Sequence, residues 1–296
     1  MQDTERLYLQ SILSGYSTTF HAEVVHVDGD KVAFDRSLFY PLGGGQNWDT
    51  GIIKGPNGVQ NVYEVRGRNQ ILHTLDEDHQ LTLGDEIEGI IDWSRRHAHM
   101  RMHTAQHLVS GVVYELYNGT RTVGNQIHHD RSRIDFNPIS FTPEMLETVT
   151  HAVNSLIDEN HPVTDSTMTR EQVNAEVPPE RTNMDLLPSF VQELRVVTIG
   201  DKIDLCPCAG THVQELSEIG HIEIIGKKSK GKGTQIVTYE LGIPKKIAME
   251  ITFPEVVTAY NIERLTKLVR NGRYNYPGAN FVIQGSSLGD NNIREY

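Results

Sequence analysis

One predicted helix constrains the fold of this chain more than any other segment. Residues 100–116, MRMHTAQHLVSGVVYEL, have the apolar spacing of an amphipathic helix and carry His103 and His107 four positions apart. At about 3.6 residues per turn, this spacing stacks both imidazoles on one face, within reach of a single ion. Two ligands do not complete a metal site, so other segments must bring further ligands to this face.

Length and charge exclude several classes of protein. A chain of 296 residues is long enough for two domains, and MQDTERLYLQ at its start lacks the basic and apolar regions of a signal peptide. No run reaches the ~18 apolar residues that a membrane span needs, so we expect a cytoplasmic protein that does not contact a membrane. The net charge of −12 argues against coating nucleic acid through global attraction.

A lysine-rich stretch is the local exception to this charge. Residues 226–235, GKKSKGKGTQ, hold four lysines among glycines and polar residues. This composition suits a mobile loop that contacts phosphates, and it equally suits the solvated turn of a β-hairpin. Both interpretations remain open at this point.

The pattern along the chain predicts an α+β fold. Residues 20–92 alternate apolar and polar side chains between Gly, Asp and Asn breaks, which is typical of short antiparallel strands in a small barrel. Ser94 is a candidate N-cap for a helix over about 95–117, and a second helix is predicted at 143–160. Further strands are predicted at 193–199, around 221–225 and at 235–241. The character of the sequence changes near residue 241, where we place a boundary.

A second segment supplies ligands that the histidine helix lacks. In DLCPCAGTHV, residues 204–213, Cys208 and His212 are separated by three residues across a turn and can converge on one ion. With His103 and His107 they form a set of three nitrogens and one sulfur, which suits zinc. In an extended segment Cys206 points the same way as Cys208, so an exchange of ligands stays open. We favour Cys208 as the ligand and expect Cys206 to pack.

A glycine-rich segment is the other candidate site. RSLFYPLGGGQNWDTG, residues 36–51, contains Gly43, Gly44 and Gly45 followed by Gln46. Successive glycines permit positive φ and close approach of the backbone to a ligand. No Lys-Ser/Thr pair follows, so the segment is not a P-loop, and a plain turn is the alternative.

Four motifs together resemble a known family. FYPLGGGQNWDTG, IDWSRRHAHMRMHTAQHL, VGNQIHHDRSRIDF and CAGTHV are similar to the successive motifs of AlaX-type alanyl-tRNA editing proteins, and the likeness covers residues 1–241. It implies a glycine-rich-motif β-barrel at 1–93 packed on an α+β editing domain at 94–241. The implied activity is zinc-dependent hydrolysis of seryl-tRNA made in error for alanine. The residues carried over are His103, His107, Cys208 and His212 as metal ligands, Gln126 and Asp135 as catalytic residues, and Ser37, Gly43, Gly44, Gly45 and Gln46 as substrate-binding residues.

One position departs from the family pattern. The family shows a threonine three residues before the tyrosine of FYP, and this chain has Ser37 there. Discrimination against alanine requires a pocket that hydrogen-bonds the serine hydroxyl, since a polar group left unpaired is costly. Ser37 and Gln46 are the candidates for this contact, and the lost methyl group weakens the constraint on the hydroxyl of residue 37.

The remaining residues, 242–296, resemble a different protein. GIPKKIAMEITFPEVVTAYNIERLTKLVRNGRYNYPGANFVI is similar to an internal segment of the largest subunit of archaeal and eukaryotic RNA polymerases, without that subunit's metal-binding NADFDGD. We interpret it as a fused fragment whose partner is unknown. Two other functions stay open: a deacylase for another mischarged tRNA, and a non-catalytic RNA-binding or polymerase-associated module with a structural zinc.

Overall fold

The structure is a computed structural model, and it describes residues 3–182, 191–242, 244, 250–252 and 282–284. The fragment expected at 242–296 lies almost wholly outside these residues. Within its described parts, Glu250–Thr252 pairs in parallel with Val282–Gln284.

Residues 3–92, which we call the strand unit, form short and mainly antiparallel strands, as their alternation predicts. The strands are β1 (Glu5–Arg6), β2 (Thr19–Asp28), β3 (Lys31–Phe34), β4 (Arg36–Ser37), β5 (Gly51–Gly55), β6 (Gly58–Val62), β7 (Glu64–Arg66), β8 (Leu72–Thr74) and β9 (Glu86–Ile91). Two 3-10 helices, Leu7–Leu9 and Leu13–Tyr16, follow β1. Seven strands form a sheet in the order β6-β5-β9-β2-β3-β8-β7, and β1 pairs with β4 in parallel.

The expected barrel is not closed. The two ends of the seven-stranded sheet are β6 and β7, which are consecutive strands with only Tyr63 between them. β6 pairs with β5 and β7 pairs with β8, but β6 and β7 are not hydrogen-bonded to each other. The sheet instead curves around a core in which Phe34, Ile53 and Val65 are fully buried.

Helix α1 (Trp93–Leu116) joins the strand unit to the rest of the chain. Asp92, not Ser94, caps it, since the Asp92 carboxylate accepts a hydrogen bond from the Arg95 amide at 3.2 Å. The helix is polar but largely buried, and its Arg96 donates to Asp49 at 3.0 Å and to the Gly15 carbonyl at 2.8 Å. These buried hydrogen bonds hold α1 against the strand unit.

The part from α1 to residue 241, which we call the helix unit, contains two further sheets. Its elements after α1 are β10 (Arg121–Ile127), β11 (Arg131–Asn137), α2 (Pro143–Glu159), β12 (Val163–Thr169), α3 (Arg170–Glu176), α4 (Pro179–Thr182), β13 (Glu193–Ile199), β14 (Asp204–Pro207), β15 (Ile222–Gly231) and β16 (Thr234–Leu241). The sheets run β10-β11-β16-β15 and β12-β13-β14. Leu108, Phe136 and Tyr239 are fully buried where α1 meets the larger sheet.

Most elements predicted for this unit are confirmed. The second helix and the strand at 193–199 lie where the sequence places them, and the lysine-rich stretch at 226–235 is a hairpin of β15 and β16. The hairpin interpretation of that stretch is therefore correct. Within the described part of the chain, no helix is both long and apolar enough to cross a membrane.

Candidate metal centre and cleft

Four side chains converge where α1 passes the segment after β14. The ligand atoms of His103, His107, Cys208 and His212, which we call the ligand cluster, all lie within 4.8 Å of one another. The Cys208 sulfur is 3.5 Å from His103 Nε2 and 3.3 Å from His212 Nε2. The predicted ligands therefore meet, and imidazole nitrogens and a thiolate sulfur are ligands that zinc takes in tetrahedral sites.

Each imidazole of the cluster is held through its other ring nitrogen. His103 Nδ1 lies 2.7 Å from Gln46 Oε1, and His212 Nδ1 lies 3.2 Å from Thr104 Oγ1. His107 Nδ1 lies 2.8 Å from Asp204 Oδ2. Because Nδ1 of every ring has a partner, Nε2 is the nitrogen left for a metal ion, which is the arrangement that orients histidine ligands in metalloproteins.

The backbone around Cys208 is fixed by Arg195. The Cys208 amide donates to the Arg195 carbonyl at 3.0 Å, and the Arg195 guanidinium donates to the carbonyls of Cys208 and Gly210 at 2.9 and 3.1 Å. Asp165 in turn lies 2.8 Å from Arg195 Nε. Gly210 packs on His103 so closely that a Cβ there would lie 2.0 Å from the ring, so this position requires glycine.

Contacts within the cluster shift its pKa values. Burial alone raises the pKa of the Cys208 thiol, but the adjacent His103 and His212 hold that pKa well below its usual range. Burial lowers the pKa of His107, yet its bonds with Asp204 and Cys208 raise that pKa to about 10. The thiolate form of Cys208 is the form that binds metal ions.

The other cysteine stands outside the cluster. Cys206 lines the neighbouring cleft, and its sulfur lies 3.6 Å from the Pro207 carbonyl. Burial raises the pKa of its thiol well above the usual value. The structure thus groups Cys208, rather than Cys206, with the histidines.

The glycine motif is a turn that joins the two units. Gly44 and Gly45 have φ of +58° and +84°, and Gln46 N donates to the Gly43 carbonyl at 2.9 Å. The Ile127 amide donates to the Gly45 carbonyl at 2.8 Å, which attaches the turn to the edge of β10. A Cβ on Gly45 would lie 1.6 Å from the Asn125 side chain, so the third glycine makes room for that amide.

A cleft of about 490 Å³ opens beside the ligand cluster, a volume typical of ligand sites. Gly43 and Gly44 line it from the strand unit, while Gln46 is fully buried behind His103. A wider groove of about 750 Å³ between α2 and β15 contains none of the four ligands, so we place the site in the smaller cleft.

A row of polar side chains from α1 and β10 lines the same cleft. Asn125 donates to Gln106 at 3.4 Å, and Gln106 donates to Ser110 at 2.9 Å. The Ser110 and Thr122 hydroxyls lie 2.7 Å apart. This row, which we call the polar row, places amide and hydroxyl groups beside His103 and His107.

The two predicted catalytic residues lie on the opposite face of the larger sheet. Gln126 is exposed and pairs with Arg133, while Asp135 is buried and contacts Lys230 at 2.8 Å. Neither lines the cleft, because strand residues alternate in direction and Asn125 is the one turned toward the ligands. Direct contact of Gln126 or Asp135 with a substrate in this cleft does not fit the structure.

Ser37 also lies away from the cleft. Its hydroxyl is 2.9 Å from His73 Nε2 and accepts a hydrogen bond from the Phe39 amide at 3.1 Å, and the side chain is fully buried. These contacts are internal to the strand unit. The sensing role suggested by the sequence stays a prediction.

Sequence reasoning missed Asp204, Gln106 and Asn125. Asp204 stands four residues before Cys208, and this closeness to a ligand is the signal that could have found it. Gln106 lies between the two helix histidines, and Asn125 is adjacent to Gln126, which the sequence suggested as a catalytic residue.

Comparison with known proteins identifies the family. The AlaX-M alanyl-tRNA editing protein of Methanosarcina barkeri is 35% identical over 245 residues, covering 80% of this chain and 99% of the relative. The AlaX-M protein of Saccharolobus solfataricus is 34% identical over 242 residues, covering 80% and 98%. The chain belongs to the AlaX family. Alanine–tRNA ligase of Thermococcus kodakarensis matches this AlaX chain at 31% identity over 248 residues, with 82% of the chain and 26% of the ligase covered.

Three family models each match a stretch of this AlaX chain. Residues 8–95 match class II (A) tRNA synthetases, and residues 194–237 match the second additional domain of threonyl and alanyl tRNA synthetases. Residues 222–295 match RNA polymerase Rpb1, domain 2. The start of this last match overlaps β15 and β16, which pair within the larger sheet of the helix unit.

Proposed function

We propose that this AlaX chain is a zinc-dependent trans-editing hydrolase that deacylates seryl-tRNA, and also glycyl-tRNA, made in error for alanine. One observation carries the proposal: four ligand atoms converge beside a cleft that both units line. A hydrogen-bond partner at Nδ1 orients each of the three imidazoles. The names of the relatives and the match to synthetase editing domains agree with this activity.

The donor chemistry of the cluster fits zinc. When bound, zinc supplies a positive charge that can hold or polarise an oxygen at the aminoacyl end of the tRNA. The chain's own part is to fix the ligands, and the partners that do this are Gln46 of the glycine turn, Thr104 of α1 and Asp204 of β14.

The polar row supports recognition of the amino acid. Gln106 uses one amide hydrogen on Ser110, so its second amide hydrogen can serve a ligand. A serine hydroxyl placed there accepts a hydrogen bond from this amide, whereas alanine offers it no oxygen. Sites that bind a substrate hydroxyl in this way reject the analogue lacking it by about 10⁴-fold. We therefore assign serine selectivity to Gln106 and its neighbours in the row.

The deciding experiment measures deacylation by the zinc-loaded full chain. tRNA for alanine carrying serine, glycine or alanine is incubated with the protein, and seryl- and threonyl-esters of their own tRNAs are included for specificity. We expect the serine ester on the alanine tRNA to be hydrolysed fastest and the alanine ester slowest. Preference for another ester would make the chain a different deacylase.

Cysteine variants provide the controls. Cys208→Ala should lose both zinc and activity, whereas Cys206→Ser should bind about one zinc per chain and remain active, because only Cys208 belongs to the cluster. A chain that binds zinc but hydrolyses none of the esters would have a structural zinc and would contradict the proposal.

A further inference from the structure

The cleft is positively charged in a chain that is otherwise acidic. The chain has 39 acidic and 27 basic residues, yet four arginines line this cleft and Asp204 is its one acidic lining residue. Asp204 is already engaged by His107 at 2.8 Å and by Arg181 at 3.4 Å. The remaining cationic groups of the cleft therefore face no carboxylate within it.

Three of these arginines have no partner in the described part of the chain. Arg6, Arg68 and Arg121 form no ion pair and no side-chain hydrogen bond with a described residue. Other arginines in the same structure do find carboxylates: Arg36 lies 2.9 Å from Asp35, and Arg195 lies 2.8 Å from Asp165. A lone surface arginine is ordinary, but three that meet at one cleft indicate an anionic ligand.

The positions of the three arginines indicate the shape of that ligand. Arg6 lies on β1, Arg68 follows β7, and Arg121 begins β10, so both units contribute. The fourth arginine, Arg181, is fixed by the Ile203 carbonyl at 2.9 Å and stacks over the Tyr114 ring at 4.9 Å. Charges on both sides of the opening suit an extended polyanion that passes between the units, rather than a single small anion.

We propose that Arg6, Arg68 and Arg121 bind the phosphates of the single-stranded 3′ end of a tRNA as it enters the cleft. This inference rests on the proposed function, because it takes the aminoacyl end of that strand to lie at the ligand cluster. Guanidinium groups bind phosphate oxygens in a bidentate way. In a chain of net charge −12, such local contacts supply the attraction that the overall charge opposes.

Binding of uncharged tRNA tests the inference independently of hydrolysis. The zinc-loaded full chain, the triple variant Arg6→Gln/Arg68→Gln/Arg121→Gln and the control Arg36→Gln are titrated with alanine tRNA at several salt concentrations. Arg36 is a matched control, since it lies on β4, the strand that pairs with the β1 strand of Arg6, but it is paired with Asp35 and does not line the cleft.

We expect the triple variant to bind tRNA at least tenfold more weakly, and the slope of log affinity against log salt to fall by about 2, at about 0.7 per lost single-strand phosphate contact. The Arg36 variant should match the unaltered chain. Equal affinity and slope in the triple variant would overturn the inference, as would an equal loss in the control.

A second measurement separates this inference from the proposed function. Hydrolysis of seryl-adenosine, which has no phosphates, should be unchanged in the triple variant while hydrolysis of seryl-tRNA falls. Loss of both activities together would show that the arginines shape the site and would contradict phosphate binding. An unaltered chain that binds tRNA through these arginines but hydrolyses no ester would contradict only the proposed function.

Discussion

His107 Nδ1 lies 2.8 Å from Asp204 Oδ2, and both side chains are buried beside the cleft. The same carboxylate group contacts Arg181 through its other oxygen. A metal ligand, an acidic partner and an arginine of the cleft therefore form one connected set. Any change at Asp204 acts on the ligand cluster and on the lining of the cleft together.

The first prediction concerns this carboxylate. Asp204→Asn preserves the shape of the side chain but removes its charge, so we expect zinc affinity to fall by about 10- to 100-fold. Competition with a chelator measures the affinity. Asp158→Asn is the control, because Asp158 pairs with His221 at 2.8 Å outside the cleft. Equal zinc affinity in the two variants would show that Asp204 does not support His107.

The second prediction concerns Gly210. In Gly210→Ala the new methyl group would lie 2.0 Å from His103 Cε1, so the ring must move and zinc content should fall markedly. Gly226→Ala is the matched control, since a Cβ there meets no atom within 4 Å. Zinc content is measured after dialysis. Full zinc occupancy in Gly210→Ala would mean that the cluster tolerates displacement of His103.

The third prediction tests Ser37. Its hydroxyl bonds to His73 and to the Phe39 amide, so Ser37→Ala should lower the free energy of unfolding by about 1–3 kcal/mol. Because Ser37 does not line the cleft, the ratio of kcat/KM for seryl- and alanyl-tRNA should stay unchanged. Denaturant unfolding and paired deacylation rates check the two parts. A reduced ratio would instead support the sensing role suggested by the sequence.

The fourth prediction is a pH dependence. Burial lowers the pKa of His73 from 6.5 to about 4, against the opposing effect of its bond to the Val32 carbonyl. Between these values the unfolded chain binds the proton and the folded chain does not, so stability falls as the pH drops. At pH 5 this difference in proton binding at His73 lowers the free energy of unfolding by about 2 kcal/mol relative to neutral pH. His73→Gln should show a flatter loss in urea unfolding between pH 6.5 and 5, and an unchanged slope would contradict the assignment.

The fifth prediction concerns the C-terminal segment. The Gly242 amide donates to the His221 carbonyl at 2.7 Å, and Arg101 donates to the Gly242 carbonyl at 2.6 Å. A chain that ends after Pro244 keeps these bonds and every strand and helix from β1 to β16. We expect it to fold, bind zinc and deacylate seryl-tRNA like the full chain. A large loss of stability on this truncation would show that residues 245–296 belong to the core.

The metal ligands could be predicted from the sequence because each pair is local. His103 and His107 share one helix face, and Cys208 and His212 share one short turn, so spacing alone brings each pair together. The partners behind the rings could not be predicted in this way. Gln46 is 57 positions from His103 and Asp204 is 97 from His107, and only the tertiary fold brings them together.

The prediction of Gln126 on β10 depends on an equally specific feature. Side chains on a strand alternate between its faces, so Gln126 and Asn125 point to opposite sides of the sheet, and of the two Asn125 lines the cleft. A bulge between Thr122 and Gly124 further obscures the alternation in the sequence. The expected barrel is not closed, because β6 and β7 at the two ends of the seven-stranded sheet do not pair with each other, and alternation along a strand does not specify its partner strands.

The bond between Gln46 and His103 has a consequence for how such chains can evolve. The amide comes from the strand unit and the ligand from the helix unit, and the adjoining turn is also attached to β10 through Gly45. A helix unit transferred without its strand unit would carry all four ligands but would lack the group that orients one of them. Inheritance of the two units as a pair preserves the orientation of His103, and independent shuffling of either unit would have to recreate it.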